Sequence, residues 1–148
     1  GRGQYGKKWT SFKGNLFVSI FFKVNNVQLS LRDLTKINCL LVKKLLSNFY
    51  KAKITIKNPN DLLIDSMKIS GILQETLSKS DEKFIIVGIG VNLIKSPNLK
   101  NYFTTNLFDL TGVKTTPKNA ALKLKKIYES FIPLLPEFNI KNLNRNLK

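Results

Sequence analysis

The chain has 148 residues, a formal net charge of +16 from 25 Lys+Arg against 9 Asp+Glu, one cysteine and no histidine. The missing histidine excludes Ser-His and Cys-His nucleophile pairs and His-containing zinc sites, and the single Cys39 excludes an internal disulfide or a thiolate metal site. No apolar run approaches the about 20 residues that cross a bilayer, and the length fits one domain with its own core.

The first stretch, Gly1 to Gly14, is basic and glycine-rich and reads as a loop. Leu16 to Val24 is β-branched and aromatic, a strand, and Asn25-Asn26 is a turn. Ser30 caps a helix from Leu31 to Tyr50, whose apolar residues Leu34, Ile37, Leu41 and Leu45 fall at helical spacing. Cys39 on that helix reads as a passive small residue. Lys53 to Lys57 alternates as a strand, Asn58-Pro59-Asn60-Asp61 is a turn, and Leu62 to Ile64 is a short strand. A turn at Asp65-Ser66 returns the chain along a strand from Lys68 to Leu77, and Ser78 to Lys83 reads as a polar loop.

Phe84 to Leu93 is a nearly continuous apolar run, a buried central strand in which Gly88 and Gly90 suggest a close approach by a ligand or a neighbour. Ser96 to Asn106 is a polar loop and Phe108 to Thr111 a helical turn. A helix starts at Pro117 and runs to about Pro133 through Ala121, Leu124, Ile127 and Phe131, ahead of a basic tail. Helices and hairpins in this order predict an α/β (α+β) domain with a mixed, largely antiparallel sheet flanked by helices.

The charge suggests a polyanionic partner. Yet only Arg2, Arg32 and Arg145 are arginines, and the chain is rich in Asn and Ile, a mixture that an A/T-rich coding sequence produces whatever the function. Nucleic-acid readers favour the arginine fork.

Three stretches carry candidate chemistry. In Gly1-Arg2-Gly3-Gln4-Tyr5-Gly6-Lys7-Lys8-Trp9, closely spaced glycines let backbone N–H groups converge on an anion, the cations add charge, and Trp9 offers a ring to stack on. It is neither a Walker loop nor a dinucleotide fingerprint, since it lacks the Gly-Lys-Ser/Thr ending and no strand precedes it. In the second, Lys57-Asn58-Pro59-Asn60-Asp61, a hairpin brings Lys68 back beside Asp61, and Gly71 leaves room there. In the third, Gly88-Ile89-Gly90-Val91-Asn92, an amide ends an apolar strand and needs a partner, in the fold or in a ligand. Each also has a plain structural use as surface loop, turn and core strand.

Together, in this order, the three resemble the signature of the biotin–protein ligases: a Gly-Arg-Gly-Arg-x-Gly-Arg-x-Trp loop, a Lys-Trp-Pro-Asn-Asp-Leu segment followed by a Lys and Gly-Ile-Leu, and a Gly-Ile-Gly-x-Asn strand. The resemblance covers residues 1 to 135 as the catalytic domain, with 136 to 148 a tail leading into a further segment. It implies the biotin/lipoate ligase fold, similar to class II synthetases, and an enzyme that makes biotinoyl-adenylate from biotin and ATP and then joins biotin to a lysine of a carrier protein, such as the carboxyl-carrier domain of acetyl-CoA carboxylase. The resemblance assigns Lys68 and Arg2 to catalysis, and Arg2, Gly3, Gln4, Lys68 and Gly71 to biotin. To the nucleotide it assigns Lys7, Trp9, Asn60, Asp61 and Asn92.

Mg²⁺ is expected with ATP rather than at a protein metal site. A cytoplasmic enzyme is expected, with no membrane or nucleic-acid partner; a homodimer is left open. Gln4 and Lys7 stand where the signature has arginines, which predicts weaker retention of the adenylate, and Asn58 stands where it has Trp. Because the chain opens inside the first motif, without Met, upstream residues are expected. The competing readings are a lipoate–protein ligase of the same fold, a salt-sensitive nucleic-acid module that needs no ATP, and a non-catalytic remnant.

Overall fold

The computed structural model describes residues 1–100 and 102–139. Five strands form one sheet: β1 (Leu16–Lys23), β2 (Thr55–Lys57), β3 (Asp61–Ile64), β4 (Met67–Lys79) and β5 (Glu82–Val91). Their order is β1-β5-β4-β3-β2, and every neighbouring pair is antiparallel. The helices are α1 (Leu31–Leu46), α2 (Leu107–Thr111) and α3 (Pro117–Phe131).

Strand alternation divides the sheet into two faces. Ile85, Val87, Ile89 and Val91 of β5 are buried with Leu16 of β1 and Ile72 of β4, and they share one core with α1 and α3. α1 contributes Leu34, Ile37, Leu41 and Leu45, the residues whose spacing predicts the helix. Burial on this scale stabilises by roughly 1.5–3 kcal/mol for each large apolar side chain. A polar chain crosses the helix layer. The Tyr128 hydroxyl donates to Asn38 Oδ1 at 2.9 Å, and Asn38 Nδ2 donates to Gln74 Oε1 at 2.8 Å. The second face of the sheet carries Gly71, Gly88 and Gly90 and is partly covered by Trp9.

The ends of the elements follow local chemistry. Ser30 accepts from Asp33 N at 3.1 Å, Thr116 accepts from Asn119 N at 3.1 Å ahead of Pro117, and Asn106 accepts from Asp109 N at 2.9 Å. α1 stops at Leu46, earlier than its apolar spacing predicts. Asn48 Nδ2 donates to Lys44 O while Asn48 N turns to Leu45 O, so a side chain takes the carbonyl that the next turn would use. The polar stretch from Ser78 to Lys83 is a tight hairpin rather than a loop. β4 and β5 pair out to Lys79 and Glu82, Ser80 takes a positive φ of 53°, and Asn25 Oδ1 accepts from Lys83 N at 2.8 Å. After α3 the chain continues in a 3-10 helix (Ile132–Glu137), with Leu135 buried and Phe138 packed edge-on against Phe131. The rest of the tail, 140–148, lies outside the described residues.

Burial pushes the Cys39 thiol up to about 12, with the Asp61 charge adding to it, and burial also raises the Tyr128 phenol. Both groups therefore keep their protons in the folded chain at pH values where the unfolded chain has lost them. Above about pH 9 the folded state binds more protons than the unfolded state, so stability falls as pH rises. Denaturant midpoints should decline between pH 9 and 11, and Cys39→Ala should flatten the first part of that decline. An unchanged slope in the variant would remove the thiol from the account.

Candidate active site

The glycine-rich start is more ordered than a plain loop. Arg2 pairs with Lys8 in an antiparallel bridge, Gly3 N donates to Lys7 O at 2.6 Å, and Trp9 N donates to Gly1 O at 2.9 Å. The turn at Gln4–Gly6 needs positive φ at Tyr5 (54°) and Gly6 (72°), which puts the Tyr5 side chain at an exposed tip. This small hairpin lies over the open face of the sheet. Arg2 is held there by an ion pair with Glu75 of β4 at 3.1 Å; both groups are solvated, so the pair orients the loop more than it stabilises the fold.

Trp9 rests on a bare patch of sheet. Gly71 and Gly90 are direct partners across β4 and β5. A Cβ at Gly71 would stand 2.6 Å from the indole, and one at Gly90 would stand 2.7 Å from it. Both glycines are thus required by close approach. The indole Nε1 is buried with no hydrogen-bond partner among the described residues, a donor left for a ligand. Trp9 is the sole tryptophan, so its emission reports directly on this packing. Gly90→Val should lift the indole off the sheet and shift its emission to the red; fluorescence identical to that of the unsubstituted protein would show that the patch does not seat the ring.

Beside Trp9 stands a charged cluster. Lys68 Nζ is 2.7 Å from Asp61 Oδ1, and both side chains are mostly buried. Asp61 Oδ2 accepts from the Tyr102 hydroxyl at 2.6 Å. Lys68 Nζ lies 5.1 Å from the Trp9 ring centroid and 5.4 Å from that of Tyr102, while Lys57 Nζ lies 5.0 Å from Tyr102. The hairpin turn at Asp65 and Ser66, both at positive φ, folds Lys68 back to Asp61 as the sequence implies.

A cavity of about 900 Å³ joins these parts. Every residue assigned from the sequence lines it: Arg2, Gly3, Gln4, Lys7, Trp9, Asn60, Asp61, Lys68, Gly71 and Asn92. Two amides in that set are committed to the fold. Asn60 Nδ2 donates to Ile72 O at 2.6 Å, tying the turn to β4. Asn92 Nδ2 donates to Thr105 O at 3.0 Å and its Oδ1 accepts from Asn15 Nδ2 at 3.5 Å, so the partner this buried amide requires is protein.

Asn15 and Tyr102 are the residues that sequence reasoning missed. Asn15 Oδ1 accepts from three successive backbone N–H groups, those of Leu93, Ile94 and Lys95, at 3.0, 3.0 and 3.2 Å. It thereby shapes the chain leaving β5. Neither residue has a local signal, since each acts on a segment far away in sequence.

The geometry defines a cationic pocket on an antiparallel sheet, with a ring platform and two carboxylates, Asp61 and Glu75, each paired with a cation, suited to an anionic ligand that carries planar groups. The chain belongs to the Biotin/lipoate A/B protein ligase family, whose profile matches residues 1–92. It is 33% identical over 95 residues to the bifunctional ligase/repressor BirA of Escherichia coli (strain K12), covering 63% of this chain and 30% of that protein. It is 32% identical over 101 residues to a biotin–[acetyl-CoA-carboxylase] ligase of Paracoccus denitrificans, covering 66% of this chain and 42% of that one. The biotin protein ligase of Aquifex aeolicus, solved with biotin and ATP, superposes with a TM-score of 0.82 at 29% identity over 99% of this chain and 62% of that one. A lipoate-bound Plasmodium falciparum LipL1 shares the fold at a TM-score of 0.51. The chain thus spans under a third of the BirA relative and under two thirds of the Aquifex ligase.

Proposed function

We propose that the protein is an ATP-dependent ligase that converts biotin to biotinoyl-adenylate and transfers biotin to a lysine of a carrier protein, such as the biotin-carrying domain of acetyl-CoA carboxylase. The observation that carries this reading is the convergence of Lys68 and the cationic Gly1–Trp9 hairpin on one cavity. Attack of a carboxylate on the α-phosphate brings two anions together. The barrier falls where fixed cations meet the developing charge and water is kept away. Lys68 is the central cation, mostly buried and flanked by two aromatic rings. Arg2, Lys7 and the backbone of Gly3 and Gln4 close over the reactants. Gly71 gives room beside Lys68, and Asn60 and Asn92 form walls on the nucleotide side.

Mg²⁺ enters with ATP as part of that substrate. Among the described residues no group of three or more His, Cys, Asp or Glu gathers to hold an ion of its own. Asp61 faces the reacting centre as a base for the acceptor lysine. No described helix is long and apolar enough to cross a membrane. A cytoplasmic placement is part of the proposal and follows from the ligase reading.

The test is ATP–pyrophosphate exchange by the complete protein. Exchange that depends on biotin and not on lipoate is the expected result; exchange driven by lipoate alone, or by neither acid, overturns the reading.

A further inference from the structure

We propose that Tyr102 is a positioning residue for the transfer half of this reaction, holding Asp61 so that one carboxylate oxygen is kept for the amine of the incoming lysine. The proposal rests on the ligase reading above and extends it to a residue that the three signature motifs do not include.

The segment that carries Tyr102 is fixed to the start of β4. Lys68 N donates to Phe103 O at 2.9 Å, Thr105 N donates to Lys68 O at 2.9 Å, and Lys68 and Thr104 form a parallel bridge. Residues 41 apart in the chain are thereby set side by side, and the Tyr102 hydroxyl donates to Asp61 Oδ2 at 2.6 Å. The two oxygens of Asp61 have different partners. Oδ2 is bound by a neutral donor whose place is set by the backbone bonds of residues 103 and 105 to Lys68. Oδ1 stands 2.7 Å from Lys68 Nζ, a cation with another use once an anion arrives. Burial, and next the hydrogen bond to Asp61, raise the phenol's pKa, so Tyr102 remains a protonated donor. Lys57 Nζ at 5.0 Å and Lys68 Nζ at 5.4 Å from the ring centroid help to hold the phenol in place.

When the adenylate phosphate draws Lys68 Nζ toward itself, Oδ1 is released while Oδ2 stays anchored, so the carboxylate does not swing after the lysine. The ammonium of the acceptor lysine then gives one proton to Oδ1. Its nitrogen lone pair forms the C–N bond to the biotin carboxyl carbon. The C–O bond to the phosphate breaks with its electron pair leaving on AMP, and the second proton on nitrogen is lost to solvent.

Tyr102→Phe in the complete protein separates this role from a structural one, because the ring and its cation contacts remain. Biotin-dependent ATP–pyrophosphate exchange should stay within about twofold of the unsubstituted protein. Single-turnover transfer from preformed biotinoyl-adenylate to a biotin-acceptor domain should slow about tenfold or more, the change expected for losing one hydrogen bond to a charged group. In an Asp61→Asn background the same substitution should alter transfer less than about twofold, since Tyr102 acts through the carboxylate. Transfer unchanged by Tyr102→Phe, exchange and transfer falling together, or a full additional loss in the Asp61→Asn background would each overturn the proposal and leave the ligase reading standing. Absence of biotin-dependent exchange in the unsubstituted protein would overturn both.

Discussion

Lys68→Ala should lower biotin-dependent ATP–pyrophosphate exchange by at least about 100-fold, the loss typical of removing one fixed charge-stabilising group from a reacting centre. The physical case is that Lys68 is the cation placed deepest in the cavity. Its ammonium is shared between Asp61 at 2.7 Å and two aromatic faces, and the side chain runs beside Gly71, where a Cβ would come within 3.3 Å of Nζ. A neighbouring lysine cannot take its place, because Lys57 is exposed on β2 with its Nζ at the Tyr102 ring and Lys7 is exposed on the hairpin above. The fold should survive. Asp61 keeps the Tyr102 hydroxyl, and the bonds that join β4 to residues 103 and 105 use the backbone of Lys68, not its side chain. Far-UV circular dichroism should therefore be unchanged while exchange is lost. Turnover within a few-fold of the unsubstituted protein would remove Lys68 from the reaction.

Asn15→Ala should have the largest effect on stability of any single polar substitution near the site. Asn15 is 3% exposed, and its side chain satisfies three backbone donors through Oδ1 and the Lys95 carbonyl through Nδ2 at 2.6 Å. Alanine leaves these groups with no partner. A buried polar group left unsatisfied costs about 1–3 kcal/mol, and water can reach the groups nearer the surface, so a total of about 3–5 kcal/mol is expected. That is a large share of the stability of a domain this size, which is of order 10 kcal/mol. The thermal midpoint should drop by about 10 °C. The damage should spread to the cavity, because Asn15 also donates to Asn92, and residues 93–95 begin the segment that brings Tyr102 and Thr104 to β4. A midpoint within about 2 °C of the parent would mean that solvent replaces the amide at little cost.

The two experiments probe different layers of one design. Lys68 acts on the reactants and should spare the fold. Asn15 touches no reactant, and its loss should loosen the wall on which the nucleotide side depends. The Gly90→Val fluorescence test lies between them, since it asks whether the sheet is kept bare to seat a ring.

The amino-acid sequence determined what short-range chemistry can encode. Alternation and β-branched residues marked the strands, apolar spacing with Ser30 and Pro117 marked two helices, and the Asp65-Ser66 turn returned Lys68 to Asp61. These signals involve residues a few positions apart, so the order of elements and the carriers of charge could be read directly. Its errors fell where a side chain competes with the backbone, as at Asn48, or where a turn lacks glycine, as at Ser80. Only the tertiary structure decided that Gly71 and Gly90 face each other beneath Trp9, that Asn15 cradles the chain after β5, and that Tyr102 locks Asp61. Those contacts join residues from 19 to about 80 positions apart, and their partners are fixed by sheet register and by burial of backbone groups, neither of which leaves a local pattern in the chain.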